Sequence, residues 1–146
     1  MIAIDTNVLV YAHRAESPWH TVARDSVARA SLGRWAIPWP CVHEFLSVVT
    51  HPKIFDPPTP LDDALRAVES WVASPNLTLL GEDEEAHWPI LARLARAARI
   101  SGPRVHDARI AAICVGHGVH ELWTADRDFS RFPSLVTRNP LVPSTT

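Results

Sequence analysis

The sequence predicts an α/β fold, a three-layer α/β/α domain over residues 1–146 with a central, mostly parallel sheet of about five strands. Short apolar runs bounded by turn residues alternate with stretches of helical periodicity. Strand, helix and strand in repeated succession close most readily as a parallel sheet with helices on both faces. No linker, repeat or low-complexity tract divides the 146 residues, which suffice for one core without disulfide or metal staples.

The first strand is IAID, ending on Asp5, with a helix starting near Asn7. RWAIPW is the second strand, followed by the helix PCVHEFLSVV and by HPKIFDPPTP, a proline-rich loop over residues 51–60. Thr59 before Pro60 reads as an N-cap and first helical residue, with Asp62 and Asp63 in the first turn and Leu61, Leu65, Val68 and Val72 recurring on one face. LTLL is the third strand, and the acidic run GEDEEAH is expected in the first turn of the next helix, where the helix dipole favours it. Gly102 and Pro103 open the helix RVHDARIAAICVGHG, which a glycine closes. ELWTA and SLVTR are the fourth and fifth strands, and a helix is expected after each of the first four. Trp35, Trp39, Trp71, Trp88 and Trp123 have apolar neighbours and are expected in the core, whereas Trp19 suits a partner surface.

Composition excludes several classes. A formal charge of -2 and a pI near 6.4 do not suit a protein that binds nucleic acid through a basic surface, so any such chemistry must use local charge. Cys41 and Cys114 are far apart, which suggests neither a zinc site nor a secreted disulfide framework and fits a reducing cytoplasm. The chain start does not read as a signal peptide, and no apolar run approaches the roughly 20 residues of a membrane span.

The acids carry the functional argument. An unpaired carboxylate in an apolar strand is costly, so Asp5 needs a reason to be there. In a parallel sheet Asp5 and Asp126, at the ends of strands one and four, reach the same edge. Ligands of such sheets gather at that edge. Glu44, early in the helix after strand two, and Asp107, early in the helix before strand four, each interrupt an apolar face and approach the edge too. Clustered carboxylates repel unless a cation neutralises them, and a hard divalent ion such as Mg²⁺ or Mn²⁺ takes oxygen ligands. It also activates water for attack on a phosphodiester.

IDTNVLVYA, Glu44 in its helix, VHDARIAA and TADRDFSRFP resemble, in order and spacing, the PIN-domain ribonucleases, above all the VapC-type toxins of bacterial toxin–antitoxin pairs. The resemblance runs from residue 1 to about Pro140. It implies a Mg²⁺- or Mn²⁺-dependent endoribonuclease acting on structured RNA, with transfer and ribosomal RNA loops both open as targets. It also implies inhibition by a VapB-like antitoxin and a homodimer. By the same resemblance Asp5, Glu44, Asp107 and Asp126 match the acidic metal site, with Asp128 as a fifth member. Thr6, Asn7 and Thr124 match its supporting positions.

The aspartates have plainer readings, Asp5 as a helix cap, Asp107 as a dipole partner and Asp126-Arg127-Asp128 as a turn with an Asx bond, whereas Glu44 is hardest to dismiss because nearby Val42, Phe45, Val48 and Val49 predict burial. Arg104, Arg109 and Arg127 either hold substrate phosphates or pair with surface acids. HEFLS is not a zinc motif, since Ser47 stands where the second histidine is required, and His43 and His106 read as neighbours of the acids. A dehalogenase-type phosphatase would want a second carboxylate where Asn7 stands. A non-catalytic binding module of the same fold is the other alternative.

Overall fold

A computed structural model describes residues 1–143. Strands β1 (Ile2–Ile4), β2 (Trp35–Pro38), β3 (Leu77–Leu80), β4 (Glu121–Trp123) and β5 (Thr137–Arg138) form one sheet in the order β3-β2-β1-β4-β5. Every neighbouring pair is parallel, with Ile2 in register with both Trp35 and Glu121 and Ile4 with Trp123. The five expected strands are therefore all present. The strand order reverses at β1, so β2 and β3 build outward on one side and β4 and β5 on the other. The crevice beyond the carboxyl ends of β1 and β4 is the topological switch point, where doubly wound sheets bind their ligands.

The helices are α1 (Thr6–His13), α2 (His20–Ala30), α3 (Trp39–Val49), α4 (Leu61–Val72), α5 (His87–Ala98) and α6 (Val105–Gly116). α1 packs on α2 and α3, and α5 packs on α6, giving the three-layer α/β/α arrangement. The core joins Ile4, Ile37 and Leu122 of the sheet to Val8, Leu9, Phe45, Val49 and Ile113 of the helices, all fully buried. Each large side chain among them contributes on the order of 1.5–3 kcal/mol by leaving water. α6 is introduced by a 3-10 turn, Gly102–Arg104, in which Gly102 has φ +58°. A side chain there would meet nothing within 4 Å, so the left-handed backbone and not lack of space is what favours glycine.

Local expectations fail where tertiary context overrides them. No α-helix follows β4; the chain makes only the 3-10 stretch Arg127–Arg131, since Asp126 caps a turn and Phe129 and Phe132 drop into the core. Thr59 is not a cap: α4 starts at Leu61 with Pro60 before it, and the buried Thr59 hydroxyl instead meets His13 and Arg14. Along α4, Ala64 is buried and Val68 half-buried, while Leu61, Leu65 and Val72 are exposed, so that apolar stripe is turned largely outward. The acidic run precedes α5 and does not enter it, because Asp83 folds back to accept from the backbone N–H groups of Glu85 and Ala86. Trp35 and Trp123 are core residues and Trp71 is half-buried, but Trp39 and Trp88 are exposed, as is Trp19. Among the described residues no helix is long and apolar enough to cross a membrane.

Candidate functional site

Each acid reaches the switch point by its own route. Asp5 is the first residue beyond β1 and caps α1, so the capping reading and the site position coincide in one side chain. Asp126 lies beyond β4 and caps the 3-10 stretch, accepting from Asp128 N at 2.8 Å, which is the expected Asx bond. Asp107 is the third residue of α6. Glu44 stands in the middle of α3, not early in it, and is exposed, as are His43 and Ser47, although Cys41, Val42, Phe45 and Val49 of the same helix are buried. Asp5, Glu44, Asp107 and Asp126 all line one cavity of about 300 Å³, whose lining also has an apolar part that includes Tyr11, Val48 and Phe55.

Asp5 is the fixed point. Its Oδ1 accepts from Thr6 N at 2.8 Å and from the Cys41 thiol at 3.4 Å. Its Oδ2 accepts from Thr124 Oγ1 at 2.7 Å and from Asn7 Nδ2 at 3.2 Å. Burial pushes the Asp5 carboxyl up to about 6; these donors act against the rise, and the nearby charge of Glu44 adds to it. Asn7 also ties the end of β4 to α1, since its Oδ1 accepts from Ala125 N at 3.0 Å. The Thr124 hydroxyl accepts from Asp126 N at 3.0 Å while donating to Asp5, so a single side chain sets two of the acids. Thr6 links Asp5 and Glu44 through two groups, its backbone N–H donating to Asp5 and its Oγ1 to Glu44 Oε2 at 3.2 Å.

Asp107, Asp126 and Asp128 form a tighter group, each offering an oxygen within 4.8 Å of the others. Burial, and then the charges of Asp126, Asp128 and Glu44, hold the Asp107 carboxyl above its usual range, with Arg104 opposing. Arg104 Nη1 stands 3.0 Å from Asp128 Oδ2 without the alignment of a hydrogen bond, a purely electrostatic pairing. A set made wholly of carboxylate oxygens fits a hard divalent ion.

The arginines divide. Arg104 pairs with Asp128 and Arg109 with Glu82, whereas Arg127 is exposed and forms no salt bridge among the described residues. Two features escaped sequence reasoning. Cys41 lies one helical turn before Glu44, a spacing that puts both on the α3 face toward the crevice. The apolar wall combines residues from α1, α3 and the 51–60 loop, and no local pattern marks it.

Comparison with known proteins identifies the family. The PIN domain family model matches residues 2–135. Ribonuclease VapC43 of Mycobacterium tuberculosis is 36% identical over 146 residues, covering 97% of this chain and 96% of the relative. Ribonuclease VapC48 of the same organism is 33% identical over 138 residues, 93% and 94% of the two chains. Among solved structures, DNA-bound VapBC from Salmonella typhimurium superposes with a TM-score of 0.66 at 22% identity, covering 95% of this chain and 97% of that one.

Proposed function

The chain belongs to the PIN-domain family, and on that premise we propose that it is a VapC-type endoribonuclease toxin with its metal site at the switch-point acids. The convergence of Asp5, Glu44, Asp107 and Asp126 from four separate elements onto one cavity is the observation that carries the site. PIN nucleases use divalent metal ions. Bound at such a site, the ion lowers the pKa of a water and neutralises charge on the phosphodiester and its leaving oxygen. Asp107, Asp126 and Asp128 would hold it, with Asp5 completing the set. Mg²⁺ or Mn²⁺ is the ion such oxygen donors favour.

The chain's own residues have distinct parts. Thr124 and Asn7 fix the Asp5 carboxylate, and Thr6 holds the Glu44 carboxylate at the cavity, where it would accept a proton from the attacking water. Arg127, exposed beside Asp126, is available for a substrate phosphate, whereas Arg104 and Arg109 must first release their acids. The substrate is RNA of the transfer or ribosomal class. The inhibitor is a VapB-like antitoxin that covers the crevice and offers a basic side chain to the acids. The outward apolar residues Leu61, Leu65 and Val72 suit a homodimer, and the buried free thiols Cys41 and Cys114 suit the cytoplasm.

The test is cleavage of purified transfer and ribosomal RNA with Mg²⁺ or Mn²⁺ and with a chelator, followed by analysis of the new ends. Water attack leaves a 5′-phosphate and a 3′-hydroxyl and stops on chelation. A cyclic phosphate, or cleavage that persists in chelator, would overturn the mechanism.

A further inference from the structure

Beside the acid cavity runs a second depression, an open groove of about 520 Å³ between α3 and α6. It shares Glu44 and Asp107 with the acid cavity, and His43 and His106 stand on its two walls. One helical turn before His43, Trp39 extends the same face of α3 and is 42% exposed, a large apolar surface left in water. Its ring lies over His43 with centroids 6.0 Å apart and planes 30° from parallel, and a side chain in place of Gly81, just beyond β3, would meet the indole Cδ1 at 3.7 Å. The pair is thus an ordered, partly exposed aromatic platform contiguous with the acids.

We propose that Trp39 and His43 form a stacking subsite for an unpaired RNA base adjacent to the bond being cut. This rests on the ribonuclease reading above, and it specifies a single-stranded or splayed-out nucleotide as the substrate element bound there. Charge favours a base over a phosphate at this place: Glu44 and Asp107 repel an anion, and the Arg109 guanidinium in the groove is committed to Glu82. Aromatic stacking needs only the face that every base has. The ring nitrogens of His43 and His106 add donors or acceptors for a base edge. An apolar protein segment fits less well, because His43, Glu44, Ser47, His106, Asp107 and Arg109 make most of the groove's lining ionisable or hydroxyl-bearing, with Pro40, Pro103 and Ile110 its apolar part.

The test separates base from backbone and binding from cleavage. A fluorescent oligoadenylate of about 12 nucleotides and its abasic counterpart are titrated by anisotropy, with Ca²⁺ in place of Mg²⁺. Trp39→Ala should weaken oligoadenylate binding about tenfold and leave the abasic oligomer unchanged, and Trp39→Phe should restore most of the loss whereas Trp39→Leu should not. On a cleaved RNA the same loss should fall on KM with kcat preserved, and the metal-induced rise in melting temperature should match the parent. Equal losses on both oligomers, or none on oligoadenylate, would overturn the subsite. So would a Trp39→Ala chain that binds RNA normally but escapes its protein inhibitor, which would assign the platform to that partner. A parent chain that binds oligoadenylate through Trp39 yet cleaves nothing would remove the ribonuclease reading and leave the stacking subsite standing.

Discussion

Asp5 and the trio of Asp107, Asp126 and Asp128 are held in opposite ways, although Asp107 and Asp126 line the same cavity as Asp5. Asp5 is almost fully buried and its two oxygens accept from four protein donors, so its position is fixed with or without a cation. The trio is half-exposed; Asp126 accepts one backbone hydrogen bond and Asp107 none among the described residues, and like charges stand within 4.8 Å of one another. One corner is satisfied by the protein, whereas the other is short of positive charge, and only the second gains much from a bound cation. On the proposed function this is a division of labour: the rigid anchor would set the geometry and the crowded cluster would supply the affinity for the ion.

Asp107→Asn should break the strained corner with the largest effect. Cleavage should fall by at least about 100-fold, equivalent to about 2.7 kcal/mol of lost transition-state stabilisation. Melting in chelator should stay level or rise slightly as one like charge disappears, while the metal-induced rise should shrink. A variant that is less stable in chelator yet cleaves at the parent rate would make Asp107 a dipole partner only.

The anchored corner should show itself in pH dependence. The Asp5 carboxyl, at about 6 in the folded protein, lies above its ordinary value of 3.8, so the native chain retains a proton that the unfolded chain has already released. Metal-free stability from this group is fully present below about pH 4, declines as pH rises toward 6 and levels off beyond, by something on the order of 3 kcal/mol. Asp107, raised in the same direction, adds to the decline. Denaturant unfolding in chelator across this range should show the fall, and Asp5→Asn should remove most of it. A parent curve that is flat or rises would contradict a buried, ionising Asp5.

The smallest effect concerns Arg104, the trio's internal counter-ion. Arg104→Gln should change metal-free stability by no more than about 0.5 kcal/mol, because the pair is partly exposed. Metal affinity, read by calorimetry, should rise two- to threefold as a competing cation is lost. A weakened affinity would show that Arg104 supports the cluster and does not compete for it.

Sequence reasoning went far with the strands because each is a short apolar run whose hydrogen-bonding partners lie on other strands, so periodicity and bounding turns mark it without knowledge of the partner. It also placed Asp5 and Asp126 at one edge, since two parallel strands that end in acids allow no other arrangement. It misjudged Thr59, α4 and the segment after β4, where the deciding interaction comes from elsewhere in the chain. Thr59 is claimed by His13 and Arg14, more than forty residues upstream.

What the sequence alone determined is the alternation of apolar strands and amphipathic helices and the placement of Asp5 and Asp126 at strand ends, because these depend on local spacing and side-chain chemistry. Tertiary structure decided how those acids differ. The four donors to Asp5 come from α1, α3 and the residues after β4, and the crowding of Asp107 with Asp126 and Asp128 arises where α6 meets the turn beyond β4. Burial, donor supply and like-charge proximity are properties of the assembled crevice, set by residues up to 119 positions apart, and no window of sequence contains them.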